Sequence, residues 1–137
     1  MKISSKLEYA FRALARIACS YGTKELAHIE ELARAEEIPQ NYLIQILNEL
    51  RVGGLLKSKR GKSGGYQLAK APSEITLAAI ATVIDSEMLN GKVALRGMSG
   101  PRISEVWGEI SGKVKNILDK TTLATLANRD DVREWVI

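Results

Sequence analysis

Residues 38–69 read IPQNYLIQILNELRVGGLLKSKRGKSGGYQLA, and this stretch decides the fold. Pro39 fixes φ for a first helical turn and gives up no donor needed there. Behind it Leu43, Ile46, Leu47 and Leu50 recur at i, i+3, i+4 and i+7, the apolar stripe of a helix on a core. Gly53-Gly54 then stops the helix. The opposite face carries Asn41, Ile44, Gln45 and Asn48 at the same spacing. Amide side chains offer both a donor and an acceptor to a base edge in a major groove, and an isoleucine can meet a thymine methyl.

After the glycines, two short strands are expected over 55–60 and 66–69, flanking the tip Gly61-Lys62-Ser63-Gly64-Gly65. The run holds Arg51, Lys57, Lys59, Arg60 and Lys62, with Lys70 just beyond, and no acid between Glu49 and Glu74. A cationic hairpin with a glycine tip suits a polyanion, because glycine permits close approach and Lys and Arg displace condensed counterions. Lys57, Lys59, Arg60, Lys62 and Ser63 are therefore candidate DNA contacts. Tyr66, beginning a strand, is expected to pack the hairpin onto the domain.

Upstream, Ser5-Lys6-Leu7-Glu8 reads as a capping box, followed by Leu7, Phe11, Leu14 and Ala18 on one helical face with Ala10 and Ile17 beside them. A second helix is expected from His28 to Glu36, burying Ile29, Leu32 and Ala33. Two short helices, a tight connection at 37–40 and a basic hairpin make a winged helix-turn-helix. The fold class is mainly α, with a two-stranded wing.

Downstream, Thr76 is expected to cap a helix that buries Leu77, Ile80, Ala81 and Ile84. Residues 85–100 contain three glycines and no clear period, and read as a loop. Pro101 starts a longer helix, to about Asp119, whose stripe is Ile103, Val106, Trp107, Ile110, Val114, Ile117 and Leu118. A stripe of that length outside the winged core needs a covering surface, and a second copy of the chain is the simplest one. Thr121 or Thr122 begins a short last helix, and a mixed tail follows from Asn128. The organisation expected is a DNA-binding domain over 1–84, a loop over 85–100, and a dimerisation helix with short helix and tail over 101–137.

The chain has 137 residues and a net charge of +4. Residues 1–84 carry twelve Lys/Arg against eight Asp/Glu, whereas residues 85–137 carry eight of each, so the excess lies in the first part. No apolar run reaches membrane-spanning length and the N-terminus lacks a signal-peptide core. Cys19 is the single cysteine, which excludes an internal disulfide and fits a cytoplasmic location. It reads as a small, half-buried hydrophobe rather than a redox switch. His28, the single histidine, makes no metal site alone. No catalytic constellation appears, so an enzyme is not expected.

The blocks YLIQILNELRVGGLLKSKRGKSGGYQLA, MKISSKLEYAFRALARIA, EITLAAIATVID and NILDKTTLATLA resemble the Rrf-two family of winged-helix transcription factors. The resemblance covers nearly the whole chain, and the RGxxGGYxLA pattern is specific to it. It implies homodimers on palindromic operators in double-stranded DNA, paired through the long helix, with contacts at Asn41, Tyr42, Ile44 and Gln45. The family's minor-groove arginine corresponds to Arg60. Tyr42 is open to two readings, a phosphate contact or a ring shielding the core. Where the family commonly has Glu, this chain has Ile44, which cannot accept from cytosine N4 and is expected to tolerate or favour a thymine methyl instead.

Cluster-binding members place three cysteines in the stretch corresponding to Asp85–Trp107, which here holds neither cysteine nor histidine. Thiolates are the ligands such clusters need, so no metal or other cofactor is expected. The resemblance is stronger to the clusterless cysteine-metabolism branch, through Trp107, residues 118–123 and Trp135-Val136-Ile137. That branch associates with cysteine synthase, which makes Trp135 and Ile137 candidate partner contacts. The expected function is a homodimeric, DNA-binding repressor; the alternative is a protein-interaction module acting through the tail. The signal stays open between a partner protein, a thiol modification at Cys19 and a small molecule between the long helix and the winged domain.

Overall fold

In the computed structural model, which describes residues 2–61, 64–90, 93 and 95–127, the first helix α1 spans Ser5–Ala18. Its cap is Ser4 rather than Ser5: the Ser4 hydroxyl accepts from the Leu7 amide at 3.2 Å, and its carbonyl accepts from Glu8. Two adjacent serines offer the same oxygen, so the sequence alone cannot choose between them. Glu8 is not a capping-box partner but lies 3.7 Å from Arg12 one turn on. The buried face of α1 is Leu7, Ala10, Ala13, Leu14, Ile17 and Ala18, while Phe11 is only partly covered.

Helix α2, Ile29–Ala35, buries Leu32 and Ala33 and leaves Ile29 at the core's edge. It ends in a Schellman motif: the Ile38 amide donates to the Ala33 carbonyl at 2.9 Å and Glu37 to Arg34 at 3.4 Å. The residue in the left-handed conformation there is Glu37, with φ of 53°, at a position that favours glycine. Ile38 is buried immediately after it, which fixes the turn into α3, Gln40–Val52. Pro39 is the residue before the helix, not its first turn.

Helix α3 also closes with a Schellman motif, now with Gly54 at φ of 83° and Leu55 donating back to Leu50 at 3.0 Å. The chain runs directly from this end into β1, Leu56–Lys59, which pairs antiparallel with β2, Gly65–Leu68. Leu56 pairs with Leu68, and both are buried, whereas Lys57, Ser58 and Lys59 are exposed.

A further connection holds the hairpin. Ala27 and Tyr66 exchange both backbone hydrogen bonds, at 2.8 and 2.9 Å, so Ala27 extends the sheet on the far side of β2. Tyr66 packs partly buried against the core.

Thr76 caps α4, Leu77–Ile84, accepting from Ala79 at 3.0 Å. Ala78, Ile80, Ala81 and Ile84 are buried, with Leu77 partly so. The segment read as a loop holds a four-residue helix α5, Glu87–Asn90, whose Met88 and Leu89 cover the core's edge. The long helix α6, Gly100–Lys120, begins one residue before Pro101. Its C-terminal end is tied to the start of α4, where Leu77 donates to Thr121 at 2.9 Å, and just beyond it Leu123 donates to Ile75, before α4, at 2.8 Å. Helix α7, Leu123–Ala127, follows, and Leu123 is fully buried in the core that α1 helps to build. The fold is a winged helix-turn-helix, mainly helical, with a two-stranded wing. No helix among the described residues is long and apolar enough to cross a membrane.

Candidate nucleic-acid interface

The two stripes read on α3 separate as periodicity requires. Leu43, Ile46, Leu47 and Leu50 are fully buried, and Asn41, Ile44, Gln45 and Asn48 are exposed. An isoleucine held in water on an amide-rich face is unfavourable unless something apolar covers it, and a thymine methyl is of the right chemistry.

Two clamps from α1 hold this helix. Lys6 Nζ lies 2.8 and 2.9 Å from the two carboxylate oxygens of Glu49. Both side chains are about one-third exposed, which limits the pair to roughly 0–1 kcal/mol. Glu49 is the one acid in α3, and Lys6 supplies its counter-charge. The second clamp is aromatic. Tyr42 is half exposed, and its ring meets Tyr9 edge-on with centroids 6.2 Å apart. Arg12 stacks over Tyr9 at 5.0 Å and donates to the Glu36 carbonyl at 2.6 Å, joining the end of α2 to the assembly. Of the two readings of Tyr42, the geometry bears on the packing one: its ring packs on α1 while half its surface stays open.

On the wing, Lys57, Lys59 and Arg60 are all exposed. Among the described residues the ion pairs are Lys6–Glu49 and Arg12–Glu8, so these three cations enter none there. Lys62 and Ser63, at the expected tip, lie outside the described residues, as do Trp135 and Ile137. One candidate was missed. Arg51 is exposed on the same face of α3, seven residues after Ile44, and its Nη2 donates to Asn48 Oδ1 at 2.7 Å. The signal was its spacing from Ile44 and Asn48, masked by its membership in the basic run.

The long helix leaves an apolar face uncovered. Ile103, Val106, Trp107, Ile110 and Ile117 are 41–65 % exposed, and Val114 is half-buried. Trp107, Ile110, Ser111 and Val114 face a cleft of about 320 Å³ shared with Met88 and Leu89.

Cys19 departs from expectation. It is exposed at the end of α1, with its thiol 3.4 Å from the Ala15 carbonyl. The stripe that buries Ala18 turns the next residue outward, so Cys19 is not part of the core. It lines a cleft with Arg16, His28 and Glu31. Among the described residues, no group of three or more His, Cys, Asp or Glu is arranged to hold a metal ion.

Comparison with known proteins agrees with this geometry. The family model Rrf2, described as "Iron-dependent Transcriptional regulator", matches residues 3–129. The transcriptional regulator CymR of Bacillus subtilis is 34% identical over 131 residues, covering 96% of this chain and 93% of CymR. Its solved structure, titled as that of the global cysteine regulator, superposes with a TM-score of 0.81 at 33% identity, over 93% of this chain and 96% of that one. IscR of Serratia proteamaculans is 34% identical over 138 residues, 96% of this chain and 82% of IscR. The structure of T. potens IscR gives a TM-score of 0.79 at 28% identity, over all of this chain and 92% of that one.

Proposed function

The chain belongs to the Rrf2 family of transcriptional regulators, and from that premise we propose a homodimeric repressor acting on palindromic operators in the cytoplasm. The chain itself is a DNA-binding regulator and not an enzyme. The observation that carries the proposal is the exposed face Asn41, Ile44, Gln45 and Asn48 on a helix whose other face is fully buried. In this reading α3 lies in a major groove, with Ile44 against a thymine methyl and Tyr42 near the backbone. Lys57, Lys59, Lys62 and Ser63 meet phosphates, and Arg60 enters the adjacent minor groove. The uncovered face of α6, from Ile103 to Ile117, supports pairing with a second copy. Two-fold symmetry then separates the recognition helices by one or more turns of DNA, about 34 Å each.

The family description names iron, and the donor set here does not fit a thiolate-held cluster. The sequence has one cysteine, Cys19, and residues 85–107 contain neither cysteine nor histidine. The proposed regulator therefore works without an iron–sulfur centre. Trp135 and Ile137 enter as the proposed contact with cysteine synthase, which rests on the resemblance to the cysteine-metabolism branch alone; unchanged retention of an Ile137-deleted chain on a cysteine synthase column would remove it.

The test of the main reading is selection of duplexes from a randomised pool, followed by binding measured across salt. A palindromic consensus is expected, with affinity falling steeply as salt rises. Arg60→Ala should cost about 1–3 kcal/mol on the selected operator. No consensus, or an unchanged affinity for Arg60→Ala, overturns the assignment of the interface.

A further inference from the structure

The pair Asn48–Arg51 carries a consequence for what α3 reads. An asparagine alone is ambivalent: its amide can accept at Oδ1 and donate at Nδ2, the combination that matches adenine N6 and N7. Here Oδ1 accepts from Arg51 Nη2 at 2.7 Å, a short, charge-assisted bond. A guanidinium has five donors and no acceptor, so the contact fixes the orientation of the amide: oxygen toward Arg51, nitrogen away from it. Both side chains are exposed, and the one acid in the helix, Glu49, is paired with Lys6.

We propose that Arg51 turns the Asn48 amide so that its Nδ2 donors lead, and that the pair selects guanine at the base step it faces. The hydrogen atoms left free are those of Asn48 Nδ2 and the remaining guanidinium N–H groups. Guanine presents two acceptors, N7 and O6, in the major groove, and satisfies both side chains. Adenine presents N7 and an amino group, and that amino group meets a guanidinium that is itself a donor. A backbone phosphate is the other acceptor that such a pair can take, and it carries no base preference.

This inference rests on the proposed placement of α3 in the major groove, and the experiment separates the two. Duplexes are selected from a randomised pool with the wild-type chain, Asn48→Ala and Arg51→Met, which keeps most of the stem and removes the donors. The step facing Asn48 is the one whose preference disappears in Asn48→Ala. At that step the wild type should prefer guanine over adenine by about tenfold, within the range of one good bidentate base contact. Arg51→Met should bring the ratio near one while the preferences elsewhere in the operator persist.

If Arg51→Met lowers affinity for both bases equally and keeps their ratio, Arg51 is a phosphate contact and the proposal fails. It fails equally if Asn48→Ala erases no preference. If the wild type selects no consensus at all, the placement of α3 falls first and the pair with it.

Discussion

Tyr9 stands between Tyr42 and Arg12, its ring met edge-on by the first at 6.2 Å and covered by the second at 5.0 Å. Three helices converge on that one phenol, since Arg12 also donates to the carbonyl that ends α2. Tyr9→Ala removes an aromatic pair and a cation–π contact together, and should destabilise the fold by about 1–3 kcal/mol. DNA affinity should fall with it, because the start of α3 loses its support. Tyr9→Phe keeps the ring and should match the wild type in thermal unfolding; a loss as large as that of Tyr9→Ala would assign the role to the hydroxyl instead.

Gly65 lies where the hairpin passes Ala27. A Cβ built on it falls 2.6 Å from the Ala27 carbonyl oxygen and 2.9 Å from Leu26 Cβ. The first neighbour is backbone and is already engaged with the Tyr66 amide at 2.9 Å. Gly65→Ala should therefore break the Ala27–Tyr66 exchange, at a cost of about 1–3 kcal/mol in denaturant unfolding. Faster amide exchange at Ala27 and Tyr66 should accompany it. Protection equal to wild type at both would show that the strand can shift without cost.

Leu123 is fully buried although it follows the long helix by only a few residues. Leu123→Ala should cost about 2–5 kcal/mol, the range for a large core side chain cut to a methyl. A value under about 1 kcal/mol would mean that α7 contributes little to the core.

Ile117 is 65 % exposed on α6. Ile117→Glu places a charge on the face proposed to meet a second copy, and should leave unfolding within about 0.5 kcal/mol of wild type. Sedimentation should then report monomer, with operator affinity sharply reduced. A dimer of unchanged stability would move the interface elsewhere.

Much of this was legible because period is a strong signal. The two stripes of α3 were readable at single-residue resolution, and Gly53-Gly54 marked its end because glycine freely adopts the left-handed turn of a Schellman motif. The matching motif after α2 was invisible, since Glu37 occupies the same conformation without a glycine to announce it. Ala27 is a single residue of sheet, too short to leave any alternation. Helix α5 is four residues long, close to one turn, and so shows no period. Cys19 was misread because its neighbour Ala18 is buried; a step of one residue turns about 100° around a helix. In the sequence Arg51 is one charge in a basic run; its pairing with Asn48 is visible only in the geometry.

The C-terminal end of α6 is tied by backbone hydrogen bonds, and its length magnifies any change of angle there. Thr121 and Leu123 tie one end to Leu77 and Ile75, while Ile103 and Val106 stand half exposed near the other. Twenty-one residues make an arm about 30 Å long, so a tilt of about five degrees at the tied end displaces the far end by about 3 Å. That is close to one base-pair rise. If α6 pairs two copies as proposed, a tilt of this size where α6 leaves α4 would change the spacing between two wings, and so their fit to an operator of fixed pitch.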